Sequence, residues 1–340
     1  MNLVFMGNPA FAIPALEKLA ASDYQIVAVV SNPPQKMGRG KKMRETAIAI
    51  KAKSMGLHLI QEQDLNSSHF IRELEDLDAD LFVVVAFRII PNSLITIPRL
   101  GSINLHGSLL PAYRGAAPIQ WALINGDEET GLSTFFIAPK VDTGAVICQD
   151  RLPIRPSDNY GTLSERMGIL GSVLLVETIN LIESGTANTI KQNDNQATLA
   201  PKITKDMTII DWRRPARELH NLVRGLTPTP SAATIIKGKR IKIQETRVDN
   251  NDNESNYLPG EIIAINKSIV TVHTGKGHLL IHRVQLEGKK TMDITVDQDV
   301  HLIRDVQNGM RSRGFKKQVL NDDESRIQHY HDWYAWYMGD

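Results

Sequence analysis

Short apolar runs alternate with stretches of helical spacing through the first half of the chain, and this alternation limits the fold more than any other feature. Leu3-Val4-Phe5-Met6 precedes a helical pattern over Pro14–Ala21, and Ile26-Val27-Ala28-Val29-Val30 precedes one over Glu45–Met55. Strand-then-helix repetition predicts parallel strands joined by crossover helices. Leu81-Phe82-Val83-Val84-Val85, Ser102-Ile103-Asn104-Leu105-His106 and Thr134-Phe135-Phe136-Ile137 continue the series. Their Val, Phe and Ile content suits strands covered on both faces. An α/β domain with a doubly wound, mostly parallel sheet is expected. Leu163, Met167, Leu170, Leu174 and Leu181 recur at helical spacing up to Gly185 and predict a closing amphipathic helix.

With 340 residues, the chain exceeds what one hydrophobic core usually organises. The first domain is expected over 1–188, a polar, patternless linker over 189–206, a second domain over 207–310 and an atypical aromatic and acidic tail over 311–340. The second domain reads as a helix over Pro215–Leu226 followed by short strands at Ala233–Ile236, Ile241–Glu245, Glu261–Ile265, Ile269–His273 and Leu279–Val284. Tight turns between several of them predict a small antiparallel, OB-like β-barrel.

The net charge of +1 hides a gradient: residues 1–206 carry −2, residues 207–320 carry +7 and residues 321–340 carry −4. A basic module beside a near-neutral one is expected either to hold a polyanion or to be ordinary solvated surface. Cys148 is the only cysteine, which excludes an intrachain disulfide, and it reads as a small core residue. The longest apolar run, Leu81–Ile90, contains Arg88 and is too short to span a bilayer. Met1 leads into no basic and apolar leader. A cytoplasmic protein without a membrane role is expected.

Asn104 and His106 stand two apart at the end of a predicted strand, so both project from one face. In an open α/β sheet the carboxyl ends of strands border the ligand crevice. An amide beside an imidazole can stabilise an oxyanion and handle a proton. Equally, the pair can be a turn cap and a histidine satisfied by backbone. Val141-Asp142-Thr143-Gly144, just after the predicted strand Thr134–Ile137, adds a carboxylate or is a plain turn. Gly7-Asn8-Pro9 lacks dinucleotide-loop spacing, and Gly38-Arg39-Gly40-Lys41 does not fit a phosphate loop. There is no cysteine pair and no His-Glu-x-x-His, so no metal is expected.

Asn104, His106, Ser108-Leu109-Leu110-Pro111, Arg114-Gly115-Ala116-Ala117-Pro118 and Asp142-Thr143-Gly144 together resemble the signature of the 10-formyltetrahydrofolate-dependent formyltransferases. Within that family the chain is most similar to the members that act on initiator methionyl-tRNA, over residues 1–310. The resemblance extends through Gly7-Asn8-Pro9-Ala10-Phe11-Ala12, Gly38-Arg39-Gly40-Lys41-Lys42, Ala200-Pro201-Lys202-Ile203, Ile210-Asp211-Trp212 and Leu286-Glu287-Gly288-Lys289-Lys290.

The resemblance implies a formyl donor, 10-formyltetrahydrofolate, as co-substrate, and attack by the α-amino group of the aminoacyl-tRNA on its formyl carbon. Asn104 and His106 would donate to the oxyanion, with Asp142 orienting His106 and helping to move the amine proton. Ser108, Leu109, Leu110 and Pro111 would line the folate pocket, with the backbone of 86–90 facing the pterin. Arg39, Lys41 and Lys42, in a basic loop after the second strand, would contact tRNA, and the basic second domain would hold its body. The chain is expected to act as a monomer. Arg88 stands where the family commonly has glycine, and Ala145 where it has an acidic residue. Two other activities would share the scaffold: N-formylation of a sugar nucleotide, or RNA binding without catalysis.

Overall fold

The computed structural model describes residues 1–37, 42–236, 239–249, 257–266, 268–286 and 291–294. Arg39, Lys41 and the tail 311–340 lie outside the described residues. Two compact units form: one from Met1–Ala122, Asp127–Pro156 and Thr162–Lys202, the other from Leu123–Gly126, Ser157–Gly161 and the chain from Ile203 on.

In chain order the first part of the sequence forms β1 (Asn2–Gly7), α1 (Ile13–Ala20), β2 (Gln25–Ser31), β3 (Gln35–Met37), β4 (Lys42–Arg44), α2 (Ala47–Ser54), β5 (Leu59–Gln61) and α3 (Ser68–Asp76). There follow β6 (Leu81–Val85), α4 (Asn92–Ile95), β7 (Ser102–His106), α5 (Pro118–Asn125), β8 (Glu129–Phe136), β9 (Val146–Pro153) and α6 (Tyr160–Glu183). Seven strands make one sheet in the order β5-β2-β1-β6-β7-β8-β9, while β3 and β4 pair separately. β5, β2, β1, β6 and β7 are parallel. The apolar runs of β1 and β6 are buried throughout, with Leu3 to Met6 and Leu81 to Val83 fully inaccessible, while in β2 Ile26 and Val27 are half-buried ahead of the buried Ala28 to Val30.

The expected strand Thr134–Ile137 needs correction. It belongs to a longer strand, β8, which begins at Glu129 and runs antiparallel to β7. β9 is antiparallel to β8 in turn. Hydrophobic content indicates burial but not strand direction. Thr130, Gly131 and Ser133 also hide the start of β8 from an apolar reading, yet both hydroxyl residues are buried there. Cys148 is only half-buried on β9 rather than a core residue.

Helices cover the sheet for local reasons. The side chains of Thr46 and Ser67 accept from Ala49 N and Phe70 N, capping α2 and α3. Phe70 and Leu74 of α3 lie one turn apart and pack with Phe82 and Leu94 in one buried cluster. On α6, Leu163, Met167 and Leu174 are buried as expected, and Gly185 just beyond the helix has φ +70°.

The second unit contains α7 (Ala216–Leu226), β10 (Ala232–Ile236), β11 (Lys239–Asp249), β12 (Ile262–Asn266), β13 (Ile269–His273), β14 (His278–Leu286) and β15 (Met292–Asp293). These strands form an antiparallel sheet in the order β10-β11-β14-β13-β12, with β15 on β14. Leu219, Leu222, Val223 and Leu226 of α7 share its core with Val270, Val272, Leu279 and Ile281.

Candidate active site

β7 lies between β6 and β8, with Asn104 opposite Val84 on one side and Phe135 on the other. Asn104 and His106 alternate onto one face, which they share with Phe135 and Ser133 across the antiparallel pair. The Asn104 side chain is half-buried and makes no hydrogen bond among the described residues. Buried amides are normally paired. A half-buried one left open beside a histidine is available to a ligand.

His106 is 6% exposed, and its ring meets Phe135 edge-on, with centroids 6.4 Å apart. Its Nε2 lies 2.9 Å from the carbonyl oxygen of Tyr113. A carbonyl only accepts, so Nε2 carries a proton and donates it there. The other nitrogen, Nδ1, faces Asp142 Oδ2 at 3.8 Å, beyond direct hydrogen-bond distance. Only the Nδ1 edge is therefore open to chemistry.

Because β8 runs antiparallel, its end does not fall at the carboxyl edge of β7. The connection 137–145 must turn back, and it is tied at Ile137 N to Ser102 O and at Ala145 O to Phe136 N. Asp142 adopts φ +52° within it, and its Oδ2 accepts from Gly115 N at 2.8 Å. Both motif glycines are required by space. A Cβ on Gly144 would stand 1.6 Å from Phe136 O, and one on Gly115, where φ is +127°, would stand 2.6 Å from Ala200 O. Ala86 and Tyr113 also have positive φ, at 50° and 60°. Each such residue costs on the order of 1–3 kcal/mol, and strain of this kind gathers at functional loops. Three of the five such residues among those described fall in the connections that follow β6, β7 and β8; the other two are Asp78 and Ser231.

The segment read as a linker, 189–206, lies in the first unit as far as Lys202. Gln192 is 9% exposed, and its Nε2 donates to Asp142 O at 2.9 Å and Gly144 O at 2.8 Å. Its Oε1 accepts from Arg114 Nε and Nη2 at 3.0 and 2.8 Å. Arg114 Nη2 also meets Asp194 Oδ1 at 2.8 Å, a hydrogen bond that holds the Asp194 carboxyl below the usual carboxylate range. Further along, Thr198 Oγ1 accepts from Tyr113 N at 2.8 Å, and Ala200 N donates to Arg114 O at 2.7 Å. Polar composition concealed this role, because Gln-Asn-Asp-Asn-Gln is what a solvated loop also looks like.

The four residues of 108–111 divide. Ser108 is fully buried, its Oγ donating to Ala112 O at 2.6 Å, and Leu110 packs with Phe135 and Val146. Ser133 Oγ donates to Ser108 O at 2.7 Å and accepts from Leu110 N at 2.9 Å, fixing the loop. Leu109 and Pro111 alone keep partly exposed surface for a ligand. Arg88 donates from Nη1 to Gln63 O at 2.6 Å and from Nη2 to Glu62 O at 2.5 Å, which ties the loop after β6 to the one after β5. Asn8 Oδ1 accepts from Asn32 N at 2.9 Å, so that motif residue joins the ends of β1 and β2. Lys42 is exposed at the start of β4. Among the described residues no group of three or more His, Cys, Asp or Glu side chains is placed to hold a metal, and no helix is long and apolar enough to cross a membrane.

Comparison with known proteins matches residues 1–179 to the Formyl transferase family model and residues 202–296 to Formyl transferase, C-terminal domain. Residues 281–340 match the model for Ring hydroxylating alpha subunit (catalytic domain). The Methionyl-tRNA formyltransferase of Agathobacter rectalis is 42% identical over 294 residues, covering 86% of this chain and 94% of that protein. The protein of the same name from Porphyromonas gingivalis is 42% identical over 302 residues, covering 86% and 93%. Among solved structures, the N-formyltransferase of Helicobacter canadensis with folinic acid and dTDP-3-aminofucose shares the fold with a TM-score of 0.61. Its sequence identity is 20%, over 82% of this chain and 97% of that one.

Proposed function

Because the chain belongs to the methionyl-tRNA formyltransferases, which move a formyl group from 10-formyltetrahydrofolate to the α-amino group of methionyl-initiator tRNA, we propose that Asn104, His106 and Asp142 carry that transfer. The observation that supports this assignment is the pairing of an open amide on Asn104 with a histidine whose Nε2 is held by Tyr113 O.

An α-amino group titrates near ~8, so a neutral nucleophile is readily present at cellular pH. As its nitrogen bonds to the formyl carbon, the carbonyl electron pair moves to oxygen, and Asn104 donates from its amide to that oxyanion. His106, whose Nε2 proton is held by Tyr113 O, receives the amine proton on Nδ1. The imidazolium formed is stabilised by Asp142 and has an Nδ1–H with which to meet the same oxyanion or to protonate the departing folate nitrogen. Direct donation by His106 to the oxyanion therefore waits on protonation of Nδ1, since Nε2 is already engaged.

Leu109 and Pro111 supply apolar surface to the folate, and the buried Ser108 and Leu110 hold them in place. Lys42, with Arg39 and Lys41, contacts the acceptor end of the tRNA, while the second unit binds its phosphates. Translation enzymes of this kind work in the cytoplasm, where we place the protein.

The test offers purified protein with 10-formyltetrahydrofolate either methionyl-initiator tRNA or a dTDP-amino sugar. Formylmethionyl-tRNA is expected. Formylation of the sugar in its place, or of neither, refutes the assignment.

A further inference from the structure

We propose that Gln192 is a positioning residue for formyl transfer, acting through Asp142 and itself aimed by Arg114. The inference rests on the reading of Asp142 as a member of the catalytic set.

The amide of Gln192 has one possible orientation. Arg114 presents only donors, so the atom facing it at 3.0 and 2.8 Å is Oε1. Nε2 then points at two carbonyls, Asp142 O and Gly144 O, at 2.9 and 2.8 Å. Both of its protons are used, and the side chain is 9% exposed. The turn it spans is strained, with Asp142 at φ +52°. It also leaves no space for adjustment, since Gly144 lies against Phe136 O. A turn of this kind persists when its surroundings over-determine it. Gln192 fixes the backbone on either side of Thr143, while Gly115 N fixes the Asp142 carboxylate at Oδ2. Without the Gln192 clamp that carboxylate keeps one contact and loses its registration to His106 Nδ1.

Gln192→Glu isolates the effect. It retains acceptor atoms for Arg114 but sets a second acceptor against the two carbonyls, where a donor is needed. The single-turnover formylation rate is expected to fall ~10–100-fold, as for a displacement of about 1 Å in a reacting group. Tetrahydrofolate affinity and KM for methionyl-tRNA are expected to stay near wild type. In an Asp142→Asn background the further loss from Gln192→Glu is expected to shrink to under about twofold, because a residue acting through another has nothing left to position.

A wild-type rate for Gln192→Glu beside an impaired Asp142→Asn overturns this proposal alone. So does a full multiplicative loss in the double variant, or a loss of affinity with the rate retained. A wild-type rate for Asp142→Asn removes the catalytic reading and this proposal with it. Thermal melting accompanies each measurement. Gln192→Met, close in size but without donors, carries the same expectation and decides the matter if the glutamate variant does not fold.

Discussion

Asn104→Ala separates a catalytic amide from a structural one. The amide has no partner among the described residues, so its removal strands no donor or acceptor in the protein. The side chain is only half-buried, so the lost packing is smaller than for a core residue, and thermal stability is expected to change by less than about 1 kcal/mol. The rate is expected to respond quite differently. An oxyanion donor acting in a partly dry site contributes about 2.7–4 kcal/mol, or ~10²–10³-fold in rate. Single-turnover formylation of methionyl-tRNA under saturating donor reads this directly, with thermal unfolding measured on the same preparation. If Asn104 served instead to hold the end of β7, the melting temperature would fall and the rate would follow only in proportion to folded protein. A rate within about threefold of wild type refutes the oxyanion role, and the mechanism above would lose its principal donor.

Gly144→Ala forces a Cβ to within 1.6 Å of Phe136 O; overpacking of this kind costs about 1–3 kcal/mol or more, to be read by urea denaturation together with loss of transfer activity. Phe82→Ala empties a fully buried site in the sheet core and is expected to cost about 3–5 kcal/mol in stability, while the folded fraction keeps its rate. Burial, aided by Arg224 and Arg217, pushes His220 from 6.5 down to about 4. The unfolded chain thus binds a proton that the folded chain refuses, so this contribution is present above pH 6.5 and is lost as pH falls toward 4. It amounts to at most about 3 kcal/mol before solvent screening, and His220→Gln is expected to flatten the pH dependence of unfolding across that window. Lys42→Ala is expected to weaken tRNA binding and to lower the slope of log K against log salt by about one, measured by filter binding across ionic strengths.

The parallel half of the sheet was legible in the sequence because β1, β2 and β6 are covered on both faces and so read as unbroken apolar runs. α6 and α7 were equally plain, each carrying a buried stripe at helical spacing. The direction of β8 was not. Ser133 and Thr134 are buried by virtue of hydrogen bonds, which no hydropathy pattern carries. Of the candidate site, Asn104 and His106 followed from period-two alternation, and the glycines after Arg114 and Asp142 marked positions that space explains afterwards. The main-chain partners were invisible: Tyr113 supplies His106 with a carbonyl and Gly115 supplies Asp142 with an amide, and any residue type has both groups. Gln192 was missed because its partner Arg114 lies 78 positions earlier, and a contact at that separation leaves no local pattern.

The run from Gln192 to Ala200 also bears on the order in which the protein matures on the ribosome. Strands β1 to β9 and α6 are all made before it, so the sheet and its three polar residues can assemble on a nascent chain that still lacks the Gln192 amide, the Thr198 hydroxyl and the Ala200 amide. Formyl transfer would then begin only after synthesis passes this point. A chain released after residue 188 is expected to show the circular dichroism of a folded sheet yet almost no turnover.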